Sequence, residues 1–144
     1  MIRTLGAVLV AGVVLSACGS ISGSKAMTGW VLQSGYLSSA KIVLSDARHA
    51  ASALEKTSTS DAGLHTVCGV LLVDTETANA SLPTPDNRAT KLLSDAYTNL
   101  GAGANECYNA SSSVTARAKA IKSLAVGASD LSEASARIAS ESTP

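Results

Sequence analysis

Apolar residues recur along this chain at alternating intervals of three and four, the spacing that gives a helix one buried face. From Trp30 the stripe runs through Leu37, Ala40, Leu44, Ala47, Ala51 and Leu54, widened by Tyr36, Val43 and Ala50. Gln33, Lys41, Asp46, Arg48 and Glu55 fall on the other side. The pattern predicts a first helix over about 27–57, ending where Lys56-Thr57-Ser58-Thr59-Ser60 supplies short polar side chains that compete for backbone hydrogen bonds. A second helix, capped by Ser60 or Asp61, carries Leu64, Cys68, Leu71, Thr75, Ala78 and Leu82, and is closed off by Pro83 and Pro85. Thr84 is the expected cap of a third helix, with Pro85 at its first position and Asp86 in its first turn. Its stripe is Ala89, Leu93, Ala96, Leu100, Gly103 and Cys107. Ser111-Ser112-Ser113 fits a tight connection to a fourth helix with Val114, Ala118, Ile121, Leu124, Ala128, Leu131 and Ile138 facing inward. Amphipathic helices with short connections bury their stripes against one another, so the expected fold is all-α, an antiparallel up-down-up-down four-helix bundle over residues 27–141.

The beginning of the chain departs from this pattern. Arg3 precedes an apolar run from Leu5 to Leu15, about 11 residues where roughly 20 are needed to span a bilayer as a helix. A positive residue, a short apolar core and small residues at a cleavage point describe a secretory signal peptide. The sequence Leu15-Ser16-Ala17-Cys18 closely resembles the lipobox of bacterial lipoproteins. That resemblance implies cleavage before Cys18 and attachment of a diacylglycerol, with acyl chains of the palmitate kind, to its thiol. The implied organisation is a signal peptide over 1–17, an acylated Cys18 with a flexible tether over 18–26, and the bundle after it. The tether expectation rests on Gly19-Ser20-Ile21-Ser22-Gly23-Ser24, a linker-like composition. Two or more acyl chains hold a protein stably on a membrane where one is marginal. The implied location is the cell membrane or an outer membrane, facing away from the cytoplasm.

Composition supports one helical domain. Removing residues 1–17 from 144 leaves 127, an ordinary single-domain length. The full chain has 11 basic and 11 acidic side chains; without Arg3 the basic count falls by one, a formal charge of about minus one. That argues against nucleic acid as a partner, since phosphate binding needs a basic face. There is no Phe, one Trp and three Tyr, while Ala and Ser dominate, which favours helix over strand. Alanine at so many inward positions predicts closely spaced helix axes and little apolar area buried per residue. Gly35, Gly69, Gly101, Gly103 and Gly127 fall inside the predicted helices, each at a cost of about 1 kcal/mol relative to Ala.

Cys68 and Cys107 lie on inward stripes of consecutive helices, and an exported chain meets conditions in which disulfides persist. The alternative is a pair of buried free thiols. Register is demanding: about 21 Å of helix separates Cys68 from Leu82, and about 31 Å separates Asp86 from Cys107. An extended Leu82-Pro83-Thr84-Pro85 segment, at about 3.1 Å per residue, covers much of that offset and lets the third helix overhang the second. A disulfide closing this loop stabilises by about 4 kcal/mol in the chain-entropy model. Cys68, Leu82, Pro83, Pro85, Asp86, Leu93, Leu100 and Cys107 together are similar to a pattern in small secreted helical proteins of actinobacteria, most of them uncharacterised. The resemblance implies the bundle and the disulfide, and brings no activity with it.

Candidate chemistry is sparse. His49 lies opposite the first stripe beside Asp46, and His65 at the edge of its helix, with no spacing that joins them into a metal site. Glu-x-x-His, Cys-x-x-Cys-His, Gly-x-Ser-x-Gly and Gly-x-x-x-x-Gly-Lys patterns are missing from the sequence, so no metal and no cofactor is expected. Asp74 and Glu76 point to different helix faces and read as solvated charges. Trp30 either plugs an open end of the bundle or meets headgroups or a protein partner. Arg117, Lys119 and Lys122 cluster in the first turns of the fourth helix, near Glu106, as a solvated end or a partner surface. The expected function is that of a non-enzymatic, membrane-anchored cell-envelope lipoprotein, an interaction or structural module for an envelope partner. The alternative is a carrier of a small apolar ligand in the bundle core. A carrier needs enclosed apolar space of several hundred Å3, and an alanine-rich bundle predicts almost none.

Overall fold

A computed structural model describes residues 23–143; the expected signal peptide and Cys18 lie outside the described residues. The described chain forms five helices, α1 (Gly23–Ser34), α2 (Tyr36–Glu55), α3 (Asp61–Asn79), α4 (Asn87–Tyr108) and α5 (Val114–Ser142). The expected first helix is therefore two. Gly35 takes φ 64° and ψ 23°, a left-handed conformation that a right-handed helix cannot absorb and that glycine adopts at no steric cost. Helix also begins at Gly23, so residues 23–26, expected as tether, belong to α1.

Helices α3 and α4, and α4 and α5, run antiparallel, as their facing residues show. Stepping from Leu100 to Gly103 on α4 moves the facing position on α5 back from Gly127 to Leu124. Cys107 joins Cys68 while Gly101 faces Thr75, which sets the same sense for α3 and α4. Helix α2 packs on α3 and α5, and α1 lies against α5 and α2. The Cys68–Cys107 disulfide spans 5.8 Å between Cα atoms, an ordinary separation for such a bond. Both cysteines are fully buried.

The expected stripe of α4 is buried at every position, with Tyr97 and Ala104 beside it. That of α3 is buried from Leu64 to Ala78, while Leu82 lies beyond the helix end and is half-buried. On α2 the buried line is Tyr36, Ala40, Val43, Ala47, Ala50 and Leu54, so Leu37, expected inside, is 68% exposed. On α5 the buried line is Arg117, Ala120, Leu124, Gly127, Leu131, Ala134 and Ile138. Val114 and Ala118, expected inside, are exposed.

The starts of α3, α4 and α5 are capped by side chains. Ser60 accepts from the Gly63 N–H at 3.2 Å and Ser113 from that of Ala116 at 3.3 Å. At α4 the cap is Asp86 rather than Thr84: its Oδ1 accepts from the Ala89 N–H at 2.7 Å. Thr84 is buried and bonded to Thr90 instead, its backbone N–H donating to the Thr90 hydroxyl at 2.9 Å. Asp86 also receives Arg137 of α5 at 3.2 Å, so one carboxylate closes a helix end and ties it to the last helix.

Candidate functional site

Helix α5 has two long seams. Toward α4, a Cβ built on Gly127 would come within 2.7 Å of the Leu100 backbone nitrogen, and one on Gly103 within 2.9 Å of that of Leu124. Only glycine admits an approach this close, and the seam is sealed by Leu100 and Leu124 lying across the two gaps. Asn99 donating to Asp130 at 2.8 Å, and Lys119 paired with Glu106 at 2.8 Å, flank it. The Lys119 hydrogen bond first, then that of Ser123, holds the Glu106 carboxyl below the ordinary range.

Toward α2 the same helix stands off. Tyr36 opens α2 just after the Gly35 break, and its ring is buried with the hydroxyl 2.7 Å from Ser135 Oγ on α5. Burial raises the Tyr36 phenol above its usual range, against a smaller opposing effect of the Ser135 bond. A bulky ring is thereby fixed between the helices at one end of the seam. Beside it Ala40, Ala139, Ser135 and Ser142 are too short to fill the space. The result is a groove of about 490 Å3 between α1, α2 and α5, with Val31, Leu37, Leu44 and Ile138 completing its apolar wall. It is a surface groove, since Leu37 is largely exposed.

Farther along the same seam lies a second, separate depression of about 150 Å3 lined by Ala47, Ala51, Ile121, Leu124, Ala125 and Ala128. Arg48 borders both parts and Lys41 borders the first. No lining residue of either part is acidic. Both cations lie on the exposed side of α2, and among the described residues neither is engaged in an ion pair. The expectation of almost no enclosed apolar space concerned the bundle core; this space opens at the surface and leaves that expectation untouched.

The two surfaces singled out from sequence for a partner, Trp30 and the basic cluster of Arg117, Lys119 and Lys122, are not brought together. Trp30 is half-buried, its ring centroid 5.3 Å from that of Tyr36, and its Nε1–H donates to the Ser81 carbonyl at 3.2 Å. It thus covers the end of the helices where the α3–α4 connection passes. Arg117 lies at the opposite end of α2 and is not a surface cation: it is 6% exposed. Its guanidinium donates to the carbonyls of Ser111 at 2.6 Å, Lys56 at 2.9 Å, Thr59 at 3.0 Å and Leu54 at 3.3 Å. Carbonyls left over at the end of α2 carry partial negative charge, and the planar five-donor fork of arginine suits several at once. Of the expected basic cluster, Lys119 is tied to Glu106 and Lys122 is exposed.

The contact between Asp46 and Asp74 and the stacking of His65 on Tyr108 join helices in ways that sequence spacing does not encode. Asp46 of α2 and Asp74 of α3 interact, and burial first, then the hydrogen bond with Asp74 and its charge, raise the Asp46 carboxyl above the ordinary range. His49 sits 3.9 Å from Asp46, the local pair that the sequence spacing suggested. His65 stacks on Tyr108 with centroids 4.2 Å apart, beside the disulfide. Among the described residues no group of three or more His, Cys, Asp or Glu side chains is placed to hold a metal ion. No described helix is long and apolar enough to cross a membrane. The buried hydroxyls of Thr75 and Tyr97 have no hydrogen-bonding partner among the described residues. No protein-family model, curated protein or solved structure significantly matches this chain.

Proposed function

We propose that this chain is an exported, lipid-anchored protein of the cell envelope, held to its membrane through an acylated Cys18 and acting there as a non-enzymatic interaction or structural module. In this reading α2 to α5 are the working four-helix bundle, and α1 is the segment that carries the bundle at the end of its tether. The observation that carries the proposal is the buried Cys68–Cys107 disulfide. It is independent of the lipobox residues, yet it calls for the same oxidising compartment outside the cytoplasm. Interior packing supplies further support. The strongest internal polar anchor, Arg117, satisfies backbone carbonyls, which is a structural task.

The test is fractionation of the host expressing the chain or its Cys18→Ala variant. The original chain is expected in the membrane fraction, released only by detergent, and the variant in the medium or periplasm without acyl mass. An original chain found in the cytosol, with Cys68 and Cys107 open to alkylation, would overturn the reading.

A further inference from the structure

The α2–α5 furrow combines three properties that ordinary surface wear on a helical protein does not. It is long, since the α2 positions from 37 to 48 that line its larger part extend over about 16 Å of helix. Its lining is mainly apolar, with Ser135 and Ser142 as uncharged polar members, and its larger part of about 490 Å3 is within the range of small-molecule sites. Its only charged lining residues are Lys41 and Arg48, seven residues apart on one face of α2, or about 10 Å along the axis. Such side chains lay their methylene stems along apolar surface while keeping the cationic head at the rim. Two unpaired cations over a narrow apolar trough complement a molecule with an apolar tail and an anionic head.

We propose that this furrow is a binding site for a long-chain fatty acid, its alkyl chain lying between α2 and α5 and its carboxylate held by Lys41 and Arg48. The furrow's dimensions favour a slender chain over a protein partner, because stable protein interfaces bury well over a thousand square ångströms, on the order of 1,200 Å2 or more. The charge pattern selects the head group: a carboxylate gains two charge-assisted contacts, and a cationic head meets like charge. The site lies at the surface, and it does not depend on the anchor proposed above.

The test uses the full chain with its disulfide intact and Cys18→Ala, so that no acyl group of its own competes. Dodecanoate, kept below its micelle-forming concentration, is titrated calorimetrically, with dodecyltrimethylammonium as the same tail bearing the opposite charge. Saturable one-site binding of dodecanoate is expected, with the cationic probe at least tenfold weaker. Ala139→Trp, an exposed position that fills the trough, should abolish the binding of both probes. The double change Lys41→Glu/Arg48→Glu should weaken dodecanoate at least tenfold and improve binding of the cationic probe. Circular dichroism checks that each variant keeps its helices. Equal affinity for both probes, binding that survives Ala139→Trp, or no binding would overturn the proposal. So would sedimentation showing a dimer that Ala139→Trp dissociates, which would make the furrow a contact between copies.

Discussion

Helix α5 meets α4 along one side and α2 along the other, and small residues have opposite consequences at the two contacts. Toward α4, Gly103 and Gly127 stand directly beneath backbone atoms of the facing helix, so the missing Cβ is itself the space the partner occupies. Toward α2, Ala40 and Ala139 also present little bulk, but the buried Tyr36 ring bonded to Ser135 keeps the axes from closing. A small side chain brings helices together only where nothing larger nearby sets the distance. Helix α4 of the closed side is tied in turn to α3 by the disulfide; the open side is left with a furrow.

The comparison can be broken most forcefully at the disulfide. Replacing Cys68 and Cys107 together by Ala should lower the unfolding free energy by about 4 kcal/mol, read from urea titration of the oxidised and substituted chains. A change under a quarter of that would mean that α3 and α4 hold together without their clamp. Next comes Gly127→Ala, which forces a Cβ against the Leu100 backbone and should cost about 3 kcal/mol. Its control is Gly29→Ala in α1, with no atom near the added Cβ. That change should raise stability by up to about 1 kcal/mol, because glycine gives up more backbone freedom on folding than alanine. Similar thermal midpoints for the two variants would show that the α4–α5 seam is looser than described.

Arg117→Ala removes the tie between α5 and the end of α2 at the far end of the furrow and should cost about 2 kcal/mol, with Arg117→Lys recovering less than half. Full recovery by lysine would mean that charge alone, and not the fork of donors, matters there. The smallest expected effect is at Asp86, whose carboxyl is held below its ordinary range first by Arg137, then by the Ala89 N–H. Stability from such a group is present above its unfolded-state pKa and disappears as pH falls through the lower folded-state value. Asp86→Asn keeps a capping side chain but loses the charge. It should melt lower than the original chain at neutral pH, by less than about 1 kcal/mol, with the gap closing in acid.

Much of the architecture was legible in the spacing of apolar residues, and the departures have particular causes. The α4 stripe was read correctly at every position because each inward residue is apolar or small and the partners on both sides are helices. On α5 the reading slipped because two inward positions hold Arg117 and Gly127, an ion and a bare backbone, which a search for apolar periodicity passes over. Gly35 looked like one of several costly helix glycines; its positive φ, which depends on α1 crossing onto α5, makes it the break between two helices. Thr84 and Asp86 are both good caps by type, and the choice fell to Asp86, which also meets Arg137 from a distant part of the chain. The furrow was hidden for a similar reason. Its existence depends on where Tyr36 inserts, and its charge on which exposed cations of α2 line it, neither of which periodicity encodes.

The most direct single measurement of the account is the intact mass of the protein extracted from its host's envelope, taken before and after reduction. A chain beginning at residue 18, bearing diacylglyceryl mass and gaining two hydrogens on reduction, is the predicted result. An unmodified amino terminus, or free thiols at residues 68 and 107 in the unreduced sample, would contradict it.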